Sequence, residues 1–133
     1  MRETLKINGK GHLEIGGCDC VELAQKFSTP LYVFDEAYIR SMMRVYKKTL
    51  EREYAGHGKV LYASKAFSCM AVYRIAMSEG IGCDAVSGGE LYTALKAGFP
   101  ASDIYVHGNN KTERELYEAI SAGVGAIVTD SYR

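Results

Sequence analysis

Strand-like apolar runs that return at a nearly fixed interval constrain this chain more than any single motif does. With Val60, Cys83, Ile104 and Ala126 as markers of successive runs, the intervals are 23, 21 and 22 residues, and each holds one helical pattern and little else. Alternation of this kind marks βα units. A crossover of that length returns the chain to the same sheet in the same direction, so the strands are expected to be parallel.

The series opens with "LYVF" (31 to 34), read as a strand, and Asp35 follows as a candidate helix cap. Ile39, Met42, Met43, Tyr46 and Leu50 then recur at helical spacing up to "YAGHG". "KVLYA" starts the next unit. Its helix is expected from near Ser68, burying Val72, Ile75 and Ala76 and stopping at Gly80. The third unit runs from "CDAV" into "SGGELYTALKAG", where Ser87 and Glu90 have capping-box spacing and Gly98 closes the helix. In the fourth, "IYV" leads through "HGNNK" to a second such pair, Thr112 and Glu115, then Leu116, Ala119 and Ile120, with Gly123 as the stop. "AIVT" begins a fifth strand. The first thirty residues differ: they are glycine-rich, with strand alternation in "HLEIGG" and a short helix in "CVELAQKF" that ends before "STP".

Sixteen Lys plus Arg balance sixteen Asp plus Glu, so charge points to no nucleic-acid or anionic-membrane partner. The opening "MRETLKINGKGHLEIGG" lacks the features of a signal peptide, and no apolar run approaches the roughly 20 residues of a membrane helix. A soluble, cytoplasmic protein is the expectation. Cys18, Cys20, Cys69 and Cys83 match no zinc or redox spacing and are read as buried free thiols, and no metal site is expected.

One lysine stands out. In "KVLYASKAFSC", strand alternation puts Leu61, Ala63 and Lys65 on one face and Tyr62 and Ser64 on the other. If the units build a (β/α) barrel, Lys65 projects into its reactive C-terminal face above a small residue. Desolvation there lowers a lysine's pKa toward the range of the nucleophilic free amine, which suits Schiff-base chemistry with pyridoxal phosphate. The alternative is a lysine that snorkels out of a strand end or pairs with a carboxylate.

"TPLYVFDEAYIR", "YASKAFSC", "GCDAVSGGELYTALKAGFP" and "IYVHGNNKTERELYEAISAGV" together resemble the amino-terminal part of the diaminopimelate decarboxylases, which belong to the alanine racemase-like, fold-type III pyridoxal phosphate enzymes. The resemblance implies an α/β fold, a partial (β/α)8 TIM barrel over residues 31 to 133, with residues 1 to 30 as a strand-rich lead-in belonging to a β-domain. A complete barrel of this type takes about 250 residues, so the chain reads as a fragment. The resemblance also implies that Lys65 carries the cofactor and that Asp84, beside it at the rim, influences its protonation; the competing reading of Asp84 is a βα-turn cap. Ala63 and His107 are expected to line the cofactor pocket. The ring-stacking histidine, the phosphate loop and the acid at the pyridine nitrogen are implied to lie later in the chain. "SGG" at a helix start is a weaker candidate for a phosphate cradle. His12 and His57 receive no role.

The implied activity is decarboxylation of meso-diaminopimelate to L-lysine and carbon dioxide by a homodimer, whose expected partner is a small-molecule amino-acid substrate, with no nucleic acid and no membrane. The alternatives are a related decarboxylase acting on ornithine, arginine or carboxynorspermidine, a non-catalytic barrel that holds pyridoxal phosphate, and an interaction module without a cofactor.

Overall fold

A computed structural model describes residues 4–130. The chain divides into two compact units, one up to Met42 and one from Met43 on. In the first, β1 (Leu5–Ile7), β2 (Leu13–Ile15) and β3 (Cys18–Asp19) form an antiparallel sheet in that order, and α1 (Cys20–Phe27) follows directly. The β1–β2 connection is closed by Asn8, whose side-chain oxygen accepts from the N–H groups of Lys10 and His12 at 2.9 and 3.1 Å. Asp19 caps α1 by accepting from Val21 and Glu22, and is itself gripped by Asn8 at 2.8 Å and His12 Nδ1 at 2.9 Å. Burial works against that carboxylate's charge, yet the His12, Asn8 and backbone hydrogen bonds together outweigh it and hold its pKa far below the usual range. His12 thus buttresses a helix cap.

Helix α2 (Glu36–Tyr54) crosses from the first unit into the second. Asp35 caps it as expected, accepting the Tyr38 N–H at 3.0 Å. The expected strand at 31 to 34 is not formed: no ladder of either sheet includes it, and Tyr32 is 88% exposed. An apolar run becomes a strand only where a neighbour completes the hydrogen bonds, and neither sheet offers one to this run.

The second unit bears out the repeat. Strands β4 (Leu61–Ala63), β5 (Gly82–Ala85), β6 (Ile104–Val106) and β7 (Ala126–Ile127) make a four-stranded parallel sheet in sequence order, joined by α3 (Met70–Ser78), α4 (Gly88–Lys96) and α5 (Glu113–Ala122). Its core is one face of the sheet: Cys83, Ala85 and Ile104 are fully buried, Val106 nearly so, with Tyr73, Ala76, Leu91, Ala94 and Ala119 buried from the helices. Burying a side chain of the size of Ile104 contributes about 1.5–3 kcal/mol. Tyr73 meets Tyr62 and Phe99 edge to face, with ring centroids 6.3 and 6.4 Å away.

Local signals set the helix ends. Gly80, Gly98 and Gly123 all have positive φ, and Thr112 with Glu115 makes a complete capping box. Three expectations need correction. In α3 Val72 and Ala76 are buried as expected, but Tyr73 is fully buried beside them and Ile75 is only half-buried. In α5 only Ala119 is buried, Leu116 is half-buried and Ile120 is 68% exposed, since a ten-residue helix lying on one sheet face covers only a narrow stripe. Of the four free cysteines only Cys83 is buried, and burial pushes its thiol up to about 11, which keeps it protonated.

Candidate active site

Parallel register fixes what shares the sheet's other face. Ala63 pairs with Asp84 and Asp84 with Tyr105, so these three lie on the face opposite the helix-covered core, where Ala63 is exposed and the other two are half-buried. Lys65 follows Ala63 by two residues. His107 is tied to the same end of the sheet by its own N–H, which donates to the Ala85 carbonyl at 2.9 Å. The four predicted site residues therefore occupy three adjacent strand ends at one rim.

Strand β4 stops earlier than expected. Ser64, Lys65 and Ala66 form a turn of 3₁₀ helix, and the alternation survives it, since Ser64 is fully buried between exposed Ala63 and exposed Lys65. Lys65 is exposed, so this chain's own residues do not desolvate it, and the expected desolvation would have to come from the strands that close a barrel. The carboxylate partner of the alternative reading is not found either: among the described residues, nothing hydrogen-bonds or ion-pairs with the Lys65 amine.

Asp84 does not cap the βα turn. Among the described residues its carboxylate makes no hydrogen bond; its backbone carbonyl accepts from the Ser64 hydroxyl at 2.8 Å, and the capping is done by neighbours. Ser87 Oγ accepts the Glu90 N–H at 3.2 Å, while Glu90 Oε2 accepts the Val86 N–H at 2.8 Å and the Ser64 hydroxyl at 2.6 Å. The Ser87–Glu90 pair is thus half a capping box, because Glu90 reaches past its own helix start to the end of β4.

The phosphate-cradle reading of "SGG" fails for a plain reason. The Gly88 N–H at the start of α4 already donates to Glu115 Oε1 at 2.9 Å, so a carboxylate holds the place an anion would take. Hydrogen bonds from Thr112 and Gly88 hold Glu115 down at about 2, fully charged.

His107 is half-exposed, with Nε2 3.4 Å from Asp130 Oδ1. Beyond it Lys111 donates to the carbonyls of Gly108 and Val128, stapling the loops after β6 and β7 together. Ser64, Glu90 and Lys111 were not singled out as site residues from sequence. The signal for Ser64 is present in the strand alternation, which puts it on the face opposite Ala63 and Lys65.

An amine and a neighbouring strand-end carboxylate that find no side-chain partner among the described residues, with an open sheet face beside both, form a donor set that fits pyridoxal phosphate, an aldehyde that binds through a lysine. Similarity to known proteins agrees. Residues 36–133 match the family described as "Pyridoxal-dependent decarboxylase, pyridoxal binding domain". The chain is 54% identical to the diaminopimelate decarboxylase of Bacillus methanolicus over 97% of its length and 50% identical to that of Bacillus subtilis. It superposes on a crystal structure of diaminopimelate decarboxylase from M. jannaschii in complex with L-lysine with TM-score 0.87 at 39% identity, covering 97% of this chain and 30% of that one. A lysine/ornithine decarboxylase from Vibrio vulnificus gives 0.72 at 26% identity, with 84% of this chain and 30% of that one covered. The chain spans about 30% of the length of the curated relatives it matches. On this match the chain belongs to the pyridoxal-dependent decarboxylases, within their pyridoxal-binding domain.

Proposed function

We propose that the protein carrying this chain decarboxylates meso-diaminopimelate to L-lysine, with Lys65 as the residue that holds pyridoxal phosphate. The observation that carries this reading is the contrast at the end of β4: a turn tied down by hydrogen bonds presents one lysine whose amine has no partner among the described residues. Such an amine is free to react with an aldehyde.

When bound, pyridoxal phosphate supplies an electron sink for the pair left at the substrate's α-carbon as carbon dioxide departs. The rest falls to the chain. Lys65 Nζ holds the cofactor, and the Asp84 carboxylate supplies a negative charge at the end of the adjacent strand. Ala63, small and in register with Asp84, leaves room on the face between them. His107, near Asp130 and fixed through the Ala85 carbonyl, lines the wall beyond Asp84.

In this reading residues 31 to 133 supply the first strands of a closed (β/α)8 barrel and residues 1 to 30 belong to a β-domain. The working protein is a cytoplasmic homodimer. What supports the barrel is the open edge at β4 and the uncovered face bearing Ala63, Asp84 and Tyr105. Among the described residues no helix is long and apolar enough to cross a membrane.

Substrate choice is tested by kcat/KM for meso-diaminopimelate, L-lysine, L-ornithine and L-arginine. A site built to pair a distal ammonium and carboxylate rejects analogues lacking either, by up to about 10⁴. Strong preference for meso-diaminopimelate is expected. Equal or better turnover of ornithine or arginine would move the protein to the branch to which the Vibrio enzyme belongs.

A further inference from the structure

We propose that Ser64 is a positioning residue for Lys65: its buried hydroxyl, clasped between the Asp84 carbonyl and the Glu90 carboxylate, locks the turn that presents the lysine and ties it to the strand end bearing Asp84. This rests on Lys65 being the cofactor lysine.

Ser64 is the one buried polar or charged residue among those described, at 0% exposure. Its hydroxyl carries one hydrogen and faces two acceptors, Glu90 Oε2 at 2.6 Å and the Asp84 carbonyl at 2.8 Å. That hydrogen serves one acceptor at a time or is shared between them, so the hydroxyl ties the turn to the end of β5 either directly, at the Asp84 carbonyl, or through Glu90. Glu90 Oε2 also takes the Val86 N–H, so a single carboxylate oxygen spans residue 64 after β4 and residue 86 at the end of β5.

The rest of the turn is held with comparable care. Tyr62 donates its hydroxyl to the Phe67 carbonyl at 2.9 Å, the Phe67 N–H donates to the Ser64 carbonyl at 3.1 Å, and Ser68 Oγ lies 2.9 Å from the buried Tyr73 hydroxyl. Of residues 64 to 68, each end is anchored to the core. A surface loop needs no such investment, whereas a residue that must meet a reacting atom within a fraction of an ångström does. Among these anchors Ser64 is the only one that also touches the neighbouring candidate catalytic residue, through Asp84's own backbone.

The test uses the protein that carries this chain, freed of cofactor, with variants S64A, E90A, E90Q and, as a control removing a cap away from the turn, T112A. Two quantities are read: hydrogen-exchange protection of the Phe67 amide, and the rate at which added pyridoxal phosphate becomes borohydride-trapped on Lys65. S64A and E90A are expected to lose Phe67 protection and to slow trapping by about tenfold or more, a scale set by the roughly 10²-fold that about 1 Å of misplacement costs. E90Q, which keeps an acceptor for Val86 and a polar group for Ser64, should stay within about threefold of wild type. T112A should match wild type in both readouts. The double variant S64A/E90A should be no worse than either single change, as expected of two residues in one clasp. Wild-type protection and trapping in S64A, or in E90A should S64A not fold, would overturn the proposal. Wild-type protein that traps nothing on Lys65 would instead overturn the functional reading, and unchanged Phe67 protection in S64A would still refute the clasp by itself.

Discussion

Replacing Gly125 with alanine puts a methyl group where the chain has no space for one. A Cβ built there lies 2.1 Å from the Ser102 carbonyl oxygen and 2.9 Å from its carbon, backbone atoms that no rotamer change can move. Relief requires the approach to open by about 1 Å. Two hydrogen bonds of the Gly125 N–H, to the carbonyls of Ala101 and Ile104 at 3.0 and 2.9 Å, are strained by that shift, and so is the two-residue ladder of β7 on β6 just beyond. Overpacking of about 1–3 kcal/mol and about 1 kcal/mol for each of the two weakened bonds bring the cost to about 3–5 kcal/mol. Gly123 supplies the comparison: at φ +73 with nothing within 4 Å of a built Cβ, alanine there meets only left-handed backbone strain of about 1 kcal/mol. Native-state hydrogen exchange at the Gly125 and Val128 amides reads the opening free energy of this strand directly. Gly125→Ala should lower it clearly more than Gly123→Ala. Equal effects, or a milder one at Gly125, would refute the reasoning that close backbone approach fixes this position.

Other outcomes follow from the same contacts. Asp84→Asn should lower the pH at which the visible absorbance of lysine-bound pyridoxal phosphate titrates, because a negative charge that favours the protonated form is removed; an unchanged or raised midpoint would separate Asp84 from the lysine. Glu115, held at about 2 against an ordinary 4.5, stabilises the α4–α5 junction above the ordinary value, and that contribution is lost as pH falls through about 2. Circular dichroism from pH 5 downward should therefore show wild type and Glu115→Gln converging near the bottom of that window, and a difference that grows on acidification would contradict this. Ile104→Ala, at a fully buried central position, should cost about 2–5 kcal/mol in denaturant midpoint terms, and a cost under about 1 kcal/mol would place the core elsewhere. The 133-residue chain by itself should self-associate in sedimentation experiments and lack decarboxylase activity, since its parallel sheet leaves an edge and one face uncovered; a monodisperse, active preparation would refute this.

Much of this architecture was legible in the residues because it is written at short range. The βα period, the caps at Asp35, Ser87 and Thr112, and the glycine stops at 80, 98 and 123 all depend on spacings of a few residues along one element, and all reappear in the structure. What was misread depends on partners far away in sequence. Glu90 looked like a local capping residue, but its carboxylate binds Ser64, 26 positions earlier. The run at 31 to 34 looked like a strand, but strand formation is decided by a neighbour and not by the run. Lys65 is exposed like Ala63, in keeping with alternation, while the 3₁₀ turn that carries it has no signature in so short a stretch. Lys111 lay in a motif that carried the resemblance, yet its grip on two carbonyls could be seen only once β6 and β7 stood side by side.

The central claim is that Lys65 is the residue to which pyridoxal phosphate attaches. Borohydride reduction of the cofactor-loaded protein that carries this chain, followed by peptide mapping, tests it directly. The account predicts a pyridoxyl group on Lys65 and its disappearance in Lys65→Ala. A pyridoxyl group found instead on Lys59, Lys96 or Lys111, with Lys65 unmodified, would contradict it.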